Sequence, residues 1–145
     1  MASCHSRFDP VAILPICGNT RALPAFGFIF NCAFRTRYLA GSGSWWIVGA
    51  GGILVELVKD VAFRLLPVGA EDARAMLAEL KVSKLLGGYR GKPAADVDAL
   101  VKAICGLSDF FLDHRHLLAD LEINPLIVCA KGEGVRAVDV RPIKI

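Results

Sequence analysis

The chain has 145 residues, which suits one domain able to bury roughly two thirds of its unfolded surface. Its net charge of +3, from 17 basic and 14 acidic residues, does not indicate nucleic-acid binding. Hydrophobic residues make up 54% of the chain, but the best apolar candidate (22–34) falls short of the about 20 residues of a membrane span and contains Pro24 and Gly27.

The first 44 residues are broken into short apolar pieces by Pro10, Pro15 and Pro24. This part is rich in Arg and poor in acid, as transit peptides are, but its prolines prevent an amphipathic helix. No basic region leads into one apolar core, so a secretory signal also fits poorly. We predict that residues 1–44 are a poorly ordered or unrelated N-terminal segment, and that the domain covers residues 45–145.

The cysteines show no CxxC motif and no Cys/His metal spacing. They are odd in number: Cys4, Cys17, Cys32, Cys105 and Cys129. An odd count with apolar surroundings favours reduced thiols over a disulfide framework, so we expect a cytoplasmic protein without a membrane segment.

A glycine-rich stretch follows a predicted strand at 45–48. Its glycines, Gly49, Gly51 and Gly52, permit tight turns and the approach of backbone N–H groups to phosphate, although a tight strand connection explains them equally well. A β-rich run at 53–58 contains Glu56, and a second strand is predicted at 61–66, ended by Pro67.

Two helices are predicted after these strands. The first covers 70–80, with Glu71 and Asp72 in its first turn and apolar residues at helical spacing. A glycine-rich loop at 87–93 carries Arg90 and Lys92, which either contact phosphate or coenzyme A or lie in solvent. Asp96 is the predicted N-cap of the longer helix, 97–112.

A hairpin closes the chain, with predicted strands at 121–128 and 135–140. If Val128 faces Val135, an unbroken ladder pairs Asn124 with Asp139, with Cβ atoms about 5 Å apart. Glu122 then lies on the same face, since side chains alternate along a strand. Carboxylate and amide oxygens suit Mg²⁺, which takes few protein ligands and completes its shell with water and phosphate. Alternatively, Asn124 begins a turn and Asp139 is a solvated strand residue.

Four segments together resemble the ATP-grasp region of ADP-forming acyl-CoA synthetases, a family that includes the acetate–CoA ligase beta subunits and is related to succinyl-CoA synthetase beta. They are residues 49–67 (GAGGILVELVKDVAFRLLP), 88–93 (GYRGKP), 121–126 (LEINPL) and 137–139 (AVD). The resemblance covers about residues 45–141 and implies a ligase that joins a carboxylic acid to coenzyme A with ATP. It implies an α+β fold, a partial ATP-grasp subdomain with a small, mostly antiparallel sheet packed on two helices.

The resemblance also implies roles for individual residues. Asn124 and Asp139 match the positions that hold the Mg²⁺ of the nucleotide, and Glu122 matches a position near the phosphoryl-transfer centre. Glu56 and the pair Lys59-Asp60 match the family pattern, but a buried ion pair or a solvated edge also accounts for them.

Family members have further parts that residues 1–44 do not resemble. These are the N-terminal half of the ATP-grasp domain and a CoA-binding unit with a phosphohistidine, either fused or carried by an alpha-type partner subunit. Two hypotheses follow: the chain keeps the Mg²⁺–ATP-binding half of such a ligase and is incomplete alone, or it is an inactive fragment that serves as a subunit-interaction module.

Overall fold

The computed structural model describes residues 30–39, 43–50 and 59–145. Six strands and three helices follow one another in these parts of the chain. They are β1 (Phe30–Leu39), β2 (Gly43–Ala50), β3 (Val61–Leu65), α1 (Ala70–Glu79), α2 (Ser83–Leu86), α3 (Val97–His114), β4 (Leu118–Val128), β5 (Val135–Ala137) and β6 (Val140–Lys144).

The strands form one antiparallel sheet in the order β3-β2-β1-β4-β5, and β6 pairs with β4 beyond the end of β5. The α+β class and the small antiparallel sheet with two main helices are therefore confirmed. The third helix, α2, is a single turn that the sequence analysis did not predict. Among the described residues, no helix combines the length and the apolar character needed to cross a membrane.

The core lies between one face of the sheet and the helices α1 and α3. The sheet contributes Trp46, Val48, Ile123 and Leu126, each at most 1% exposed. The predicted apolar stripe of α1 is buried, as is most of the predicted stripe of α3. These side chains define the inner face of the sheet, which the helices cover. The opposite face, which neither helix covers, is called the outer face below.

Strand β1 lies in the segment that the sequence analysis separated from the domain. It occupies the centre of the sheet, between β2 and β4. Its sequence alternates Phe34, Thr36 and Tyr38 with Arg35 and Arg37, a period of two that indicates a strand. Residues 1–29 lie outside the described residues, so the division at residue 44 stays a prediction, but the sheet itself extends back to residue 30.

The long helix α3 begins where the sequence predicts. The Asp96 carboxylate accepts a hydrogen bond from the Ala99 backbone N–H (3.1 Å), which is the N-cap interaction. Within the same helix, the fully buried Ser108 hydroxyl accepts a hydrogen bond from the Val68 backbone N–H (2.9 Å), which fastens the segment after β3 to α3.

Candidate functional site

The terminal hairpin has the register that the sequence predicts. Val128 pairs with Val135 and Leu126 with Ala137, and the same ladder continues into β6, where Glu122 pairs with Arg141. Between these two parts, the Asn124 backbone N–H donates to the Asp139 carbonyl oxygen (3.0 Å). The backbones of Asn124 and Asp139 therefore meet as the predicted register requires, although the second strand is divided into β5 and β6 at this point; the predicted approach of their side chains stays a prediction.

Burial along β4 shows why Asn124 lies off the core. The buried apolar residues of β4 are spaced by two from Leu121 to Ile123, by three from Ile123 to Leu126, and by two again to Val128. The three-residue step spans Asn124 and Pro125, joined by a cis peptide bond. Glu122 and Asn124 are both half-buried and alternate with buried residues, so they share the outer face of the sheet.

An ion pair that was not predicted from the sequence lies on this face, where β6 begins. The Arg141 Nε–H donates to Asp139 Oδ2 over 2.9 Å, with the two side chains 69% and 43% exposed. A pair exposed to this degree contributes little to stability. The available signal was the spacing of two residues at the end of the predicted strand 135–140, since extended backbone there places both side chains on the same face.

The donor set fits Mg²⁺ in its chemistry. Asn124 and Asp139 offer an amide and a carboxylate oxygen, and Glu122 offers a second carboxylate one position along the same face. In the part of the chain that the structure describes, no group of three or more His, Cys, Asp or Glu residues could hold a metal by itself. Two protein oxygens with water and phosphate completing the shell are typical of Mg²⁺ and unlike a closed structural metal site.

The glycine-rich stretch is described only at its start. A Cβ atom on Gly49 would lie 2.7 Å from Val61 Cγ1 and 3.0 Å from the Asp60 carbonyl oxygen. Close packing of β2 against the beginning of β3 therefore explains this glycine without a phosphate. Gly51, Gly52 and Glu56 lie outside the described residues, and the proposed cofactor-binding role of all four positions stays a prediction.

Asp60 has a structural role that differs from both sequence interpretations. It is 5% exposed, and its carboxylate accepts hydrogen bonds from the backbone N–H groups of Lys81 (2.8 Å) and Val82 (3.0 Å). Its burial excludes a solvated edge, and among the described residues it forms no ion pair. It satisfies backbone donors beyond the end of α1 and holds this turn against the start of β3.

Asp96 has a second role besides capping α3. Its other carboxylate oxygen, Oδ2, accepts from the backbone N–H groups of Gly132 (2.9 Å) and Gly134 (3.0 Å) in the hairpin turn. The hydrogen bond from Ala99, and those from the two glycines, stabilise the charged form and lower the pKa of this carboxyl. Asp96 thus joins the long helix to the hairpin that carries Asn124 and Asp139.

The loop at 87–93 is largely exposed, which is compatible with both of its interpretations from the sequence. The Arg90 guanidinium lies over the Tyr89 ring, 5.3 Å from its centroid, and Lys92 is exposed. Gly88 has a φ of +93°, and a Cβ there would lie 3.0 Å from the Lys92 carbonyl oxygen, so the loop conformation itself requires glycine.

Several proteins of known name are similar to this chain in sequence. The chain is 41% identical over 95 residues to the beta subunit of acetate–CoA ligase (ADP-forming) II of Pyrococcus furiosus, which covers 66% of the chain and 40% of that subunit. It is 42% identical over 101 residues to the 4-hydroxybutyrate–CoA ligase (ADP-forming) of Nitrosopumilus maritimus, covering 70% of the chain and 14% of that protein. The chain therefore spans less than half the length of these relatives.

Solved structures agree with the sequence relatives. A protein from Pyrococcus horikoshii superposes with a TM-score of 0.75 at 34% identity, covering 80% of this chain and 48% of that one. The dinucleotide-forming acetyl-coenzyme A synthetase 1 of Ca. Korarchaeum cryptofilum, solved with coenzyme A and Mg-AMPPCP, gives a TM-score of 0.74 at 31% identity over 80% and 53% of the two chains.

The sequence profile of the ATP-grasp domain matches residues 41–144, which include all the described strands except β1 and all three helices. This range, the ligase relatives and the superpositions agree with the resemblance seen in the four sequence segments. The chain therefore belongs to the ATP-grasp family.

Proposed function

We propose that this chain contributes the Mg²⁺-binding part of the nucleotide site of an ADP-forming acyl-CoA synthetase. The observation that carries the proposal is the pairing of Asn124 with Asp139 on the outer face of the sheet. In this proposal, the side-chain oxygens of these two residues hold Mg²⁺, and the ion supplies charge stabilisation to the phosphoryl group that ATP transfers.

Glu122 has a supporting catalytic role in the proposal. It lies on the outer face one position before Asn124, and its cross-strand neighbour is Arg141. A carboxylate at this place can accept a hydrogen bond from a metal-bound water or from the transferring group, and so orient it. The glycines at 49, 51 and 52, together with Glu56, are assigned to cofactor binding on the resemblance to the family.

The reaction would require more than this chain. The chain spans 40% of the P. furiosus beta subunit, so the acid, coenzyme A and the phosphohistidine unit are proposed to meet it in a larger assembly. We propose that the partner is a CoA-binding unit with a phosphohistidine, fused or in an alpha-type subunit, and that the substrate is a small carboxylic acid. The proposed compartment is the cytoplasm.

A calorimetric titration of the purified chain with Mg-ATP tests the proposal. The wild-type chain is expected to release or absorb heat of binding, and an Asn124→Ala/Asp139→Ala variant is expected to lose it. Asp113→Ala, which removes an exposed carboxylate from α3, serves as the control for charge and should bind as the wild type does. Equal binding by the double variant and the wild type would contradict the proposal.

The second candidate function is a subunit-interaction module without chemistry of its own. Phe63 and Leu65 favour it, because they are 49% and 51% exposed on β3, a strand at the edge of the sheet. This function would be favoured over the first if the wild-type chain gives no heat of binding with Mg-ATP but self-associates in sedimentation velocity. The Phe63→Ser/Leu65→Ser variant should then be monomeric.

A further inference from the structure

The Arg141–Asp139 ion pair places a cation on one of the two residues assigned to Mg²⁺. Arg141 Nε–H donates to Oδ2 of the carboxylate, while Oδ1 accepts no hydrogen bond from the residues that the structure describes. The charge of the Asp139 carboxylate is thus neutralised by Arg141, which lies two residues later on β6. Any metal that binds Asp139 has to share this carboxylate with Arg141 or displace it.

The position of Arg141 in the sheet gives it two acidic neighbours. It pairs across the ladder with Glu122 and lies two residues from Asp139, so the three side chains share the outer face. Arg141 is 69% exposed, which leaves its long side chain free to change partner. Its guanidinium has donors besides Nε, and these are suited to a second ligand.

The energetics favour exchange when a metal–nucleotide complex arrives. An exposed Arg–Asp pair is weak, so a divalent cation that needs the carboxylate can replace the guanidinium. The polyphosphate that accompanies the cation brings several oxygens with negative charge to the same face. A guanidinium binds such oxygens through paired hydrogen bonds that are stronger than its exposed bond to Asp139.

We propose that Arg141 is an exchangeable cation of the nucleotide site: it neutralises Asp139 while the metal is absent and binds the phosphates when the metal–nucleotide complex takes Asp139. The inference rests on the proposed function, because it requires that Asp139 bind the metal. It adds to that function a residue that contacts the phosphates and a competition that weakens binding of the free metal.

The test compares free metal with metal–nucleotide. Mn²⁺ replaces Mg²⁺, because its electron paramagnetic resonance signal reports the bound fraction in titrations of the full chain with Mn²⁺ alone and with Mn²⁺–ATP. For Arg141→Met we expect Mn²⁺ alone to bind about 2- to 5-fold more tightly, since a weak competitor is removed. We expect Mn²⁺–ATP to bind about 10-fold more weakly, since charge-assisted bonds to phosphate are lost.

Two further variants separate this role from a structural one. Arg141→Lys keeps the charge without the paired donors and should restore part of the Mn²⁺–ATP affinity. Lys144→Met removes an exposed cation from the same strand and should change neither titration. Thermal melting followed by circular dichroism should give the same midpoint for all three variants.

The possible results separate the inference from the proposed function. The role of Arg141 would be overturned if Arg141→Met binds Mn²⁺ and Mn²⁺–ATP as the wild type does. It would also be overturned if the variant binds both probes more weakly by the same factor. The proposed function would stand in that case, provided that the wild type binds Mn²⁺–ATP and Asn124→Ala/Asp139→Ala does not. A wild-type chain that binds neither probe would overturn the proposed function and this inference with it.

Discussion

Replacing Asp96 by Ala should destabilise the link between the long helix and the hairpin. The substitution removes the N-cap hydrogen bond from Ala99 and both bonds from the turn glycines, Gly132 and Gly134. Loss of a helix cap alone costs about 1 kcal/mol, and the two further bonds to a partly exposed carboxylate raise the total to about 2–3 kcal/mol. For a domain of this length, that loss lowers the melting temperature by about 6–10 °C.

The contribution of Asp96 should also depend on pH. Because the folded state lowers the pKa of this carboxyl, the stabilisation is fully present above the unfolded pKa of about 3.9. It is lost as the pH falls from there through the lower folded pKa. The difference in free energy of unfolding between wild type and Asp96→Ala should therefore be largest near neutral pH and shrink below about pH 4.

The assay is urea unfolding at a series of pH values, followed by circular dichroism. Asp109→Ala, an exposed carboxylate change within the same helix, is the matched control and should leave the unfolding midpoint close to that of the wild type. An Asp96→Ala midpoint equal to that of the control at pH 7, or a difference that stays constant down to pH 3, would refute the reasoning.

Three further substitutions test contacts around the sheet and α3, each by thermal unfolding. Asp60→Ala leaves two backbone N–H groups without their buried acceptor and should cost about 3 kcal/mol; a loss below about 1 kcal/mol would contradict the assigned role. Gly49→Ala places a Cβ 2.7 Å from a Val61 methyl and should lower the free energy of unfolding by about 1–3 kcal/mol. Gly87→Ala is its control: the added Cβ has no neighbour nearer than 4.0 Å, so the free energy of unfolding should change by less than about 0.5 kcal/mol. Ser108→Ala removes the acceptor of one buried backbone N–H and should cost about 1–3 kcal/mol; an unchanged melting temperature would mean that this N–H has another partner.

Much of the fold follows from local signals in the sequence. The helices were predictable because apolar residues recur at helical spacing and because Asp96 is a strong N-cap residue. The hairpin register could be predicted by assuming that Val128 faces Val135 across the turn that contains Gly132 and Gly134, and the structure has this pair.

Other features depend on contacts between distant parts of the chain. Strand β1 was not predicted because its two arginines and the preceding prolines obscured its alternation. Asp60 meets its partners 21 and 22 residues later, beyond the end of α1, so no local pattern indicates them. The Arg141–Asp139 pair is local, but a strand spacing of two predicts only a shared face and not an ion pair.

The central claim is that the outer face of the hairpin holds the metal–nucleotide complex. The most direct measurement is a nuclear magnetic resonance titration of the isotope-labelled chain with Mn²⁺–ATP, because a bound Mn²⁺ ion broadens the amide signals nearest to it. The account predicts that the signals at 122–124 and 138–141 disappear first and that those of α1, across the sheet, persist. Broadening that begins instead at the loop 87–93, or that affects all regions equally, would contradict it.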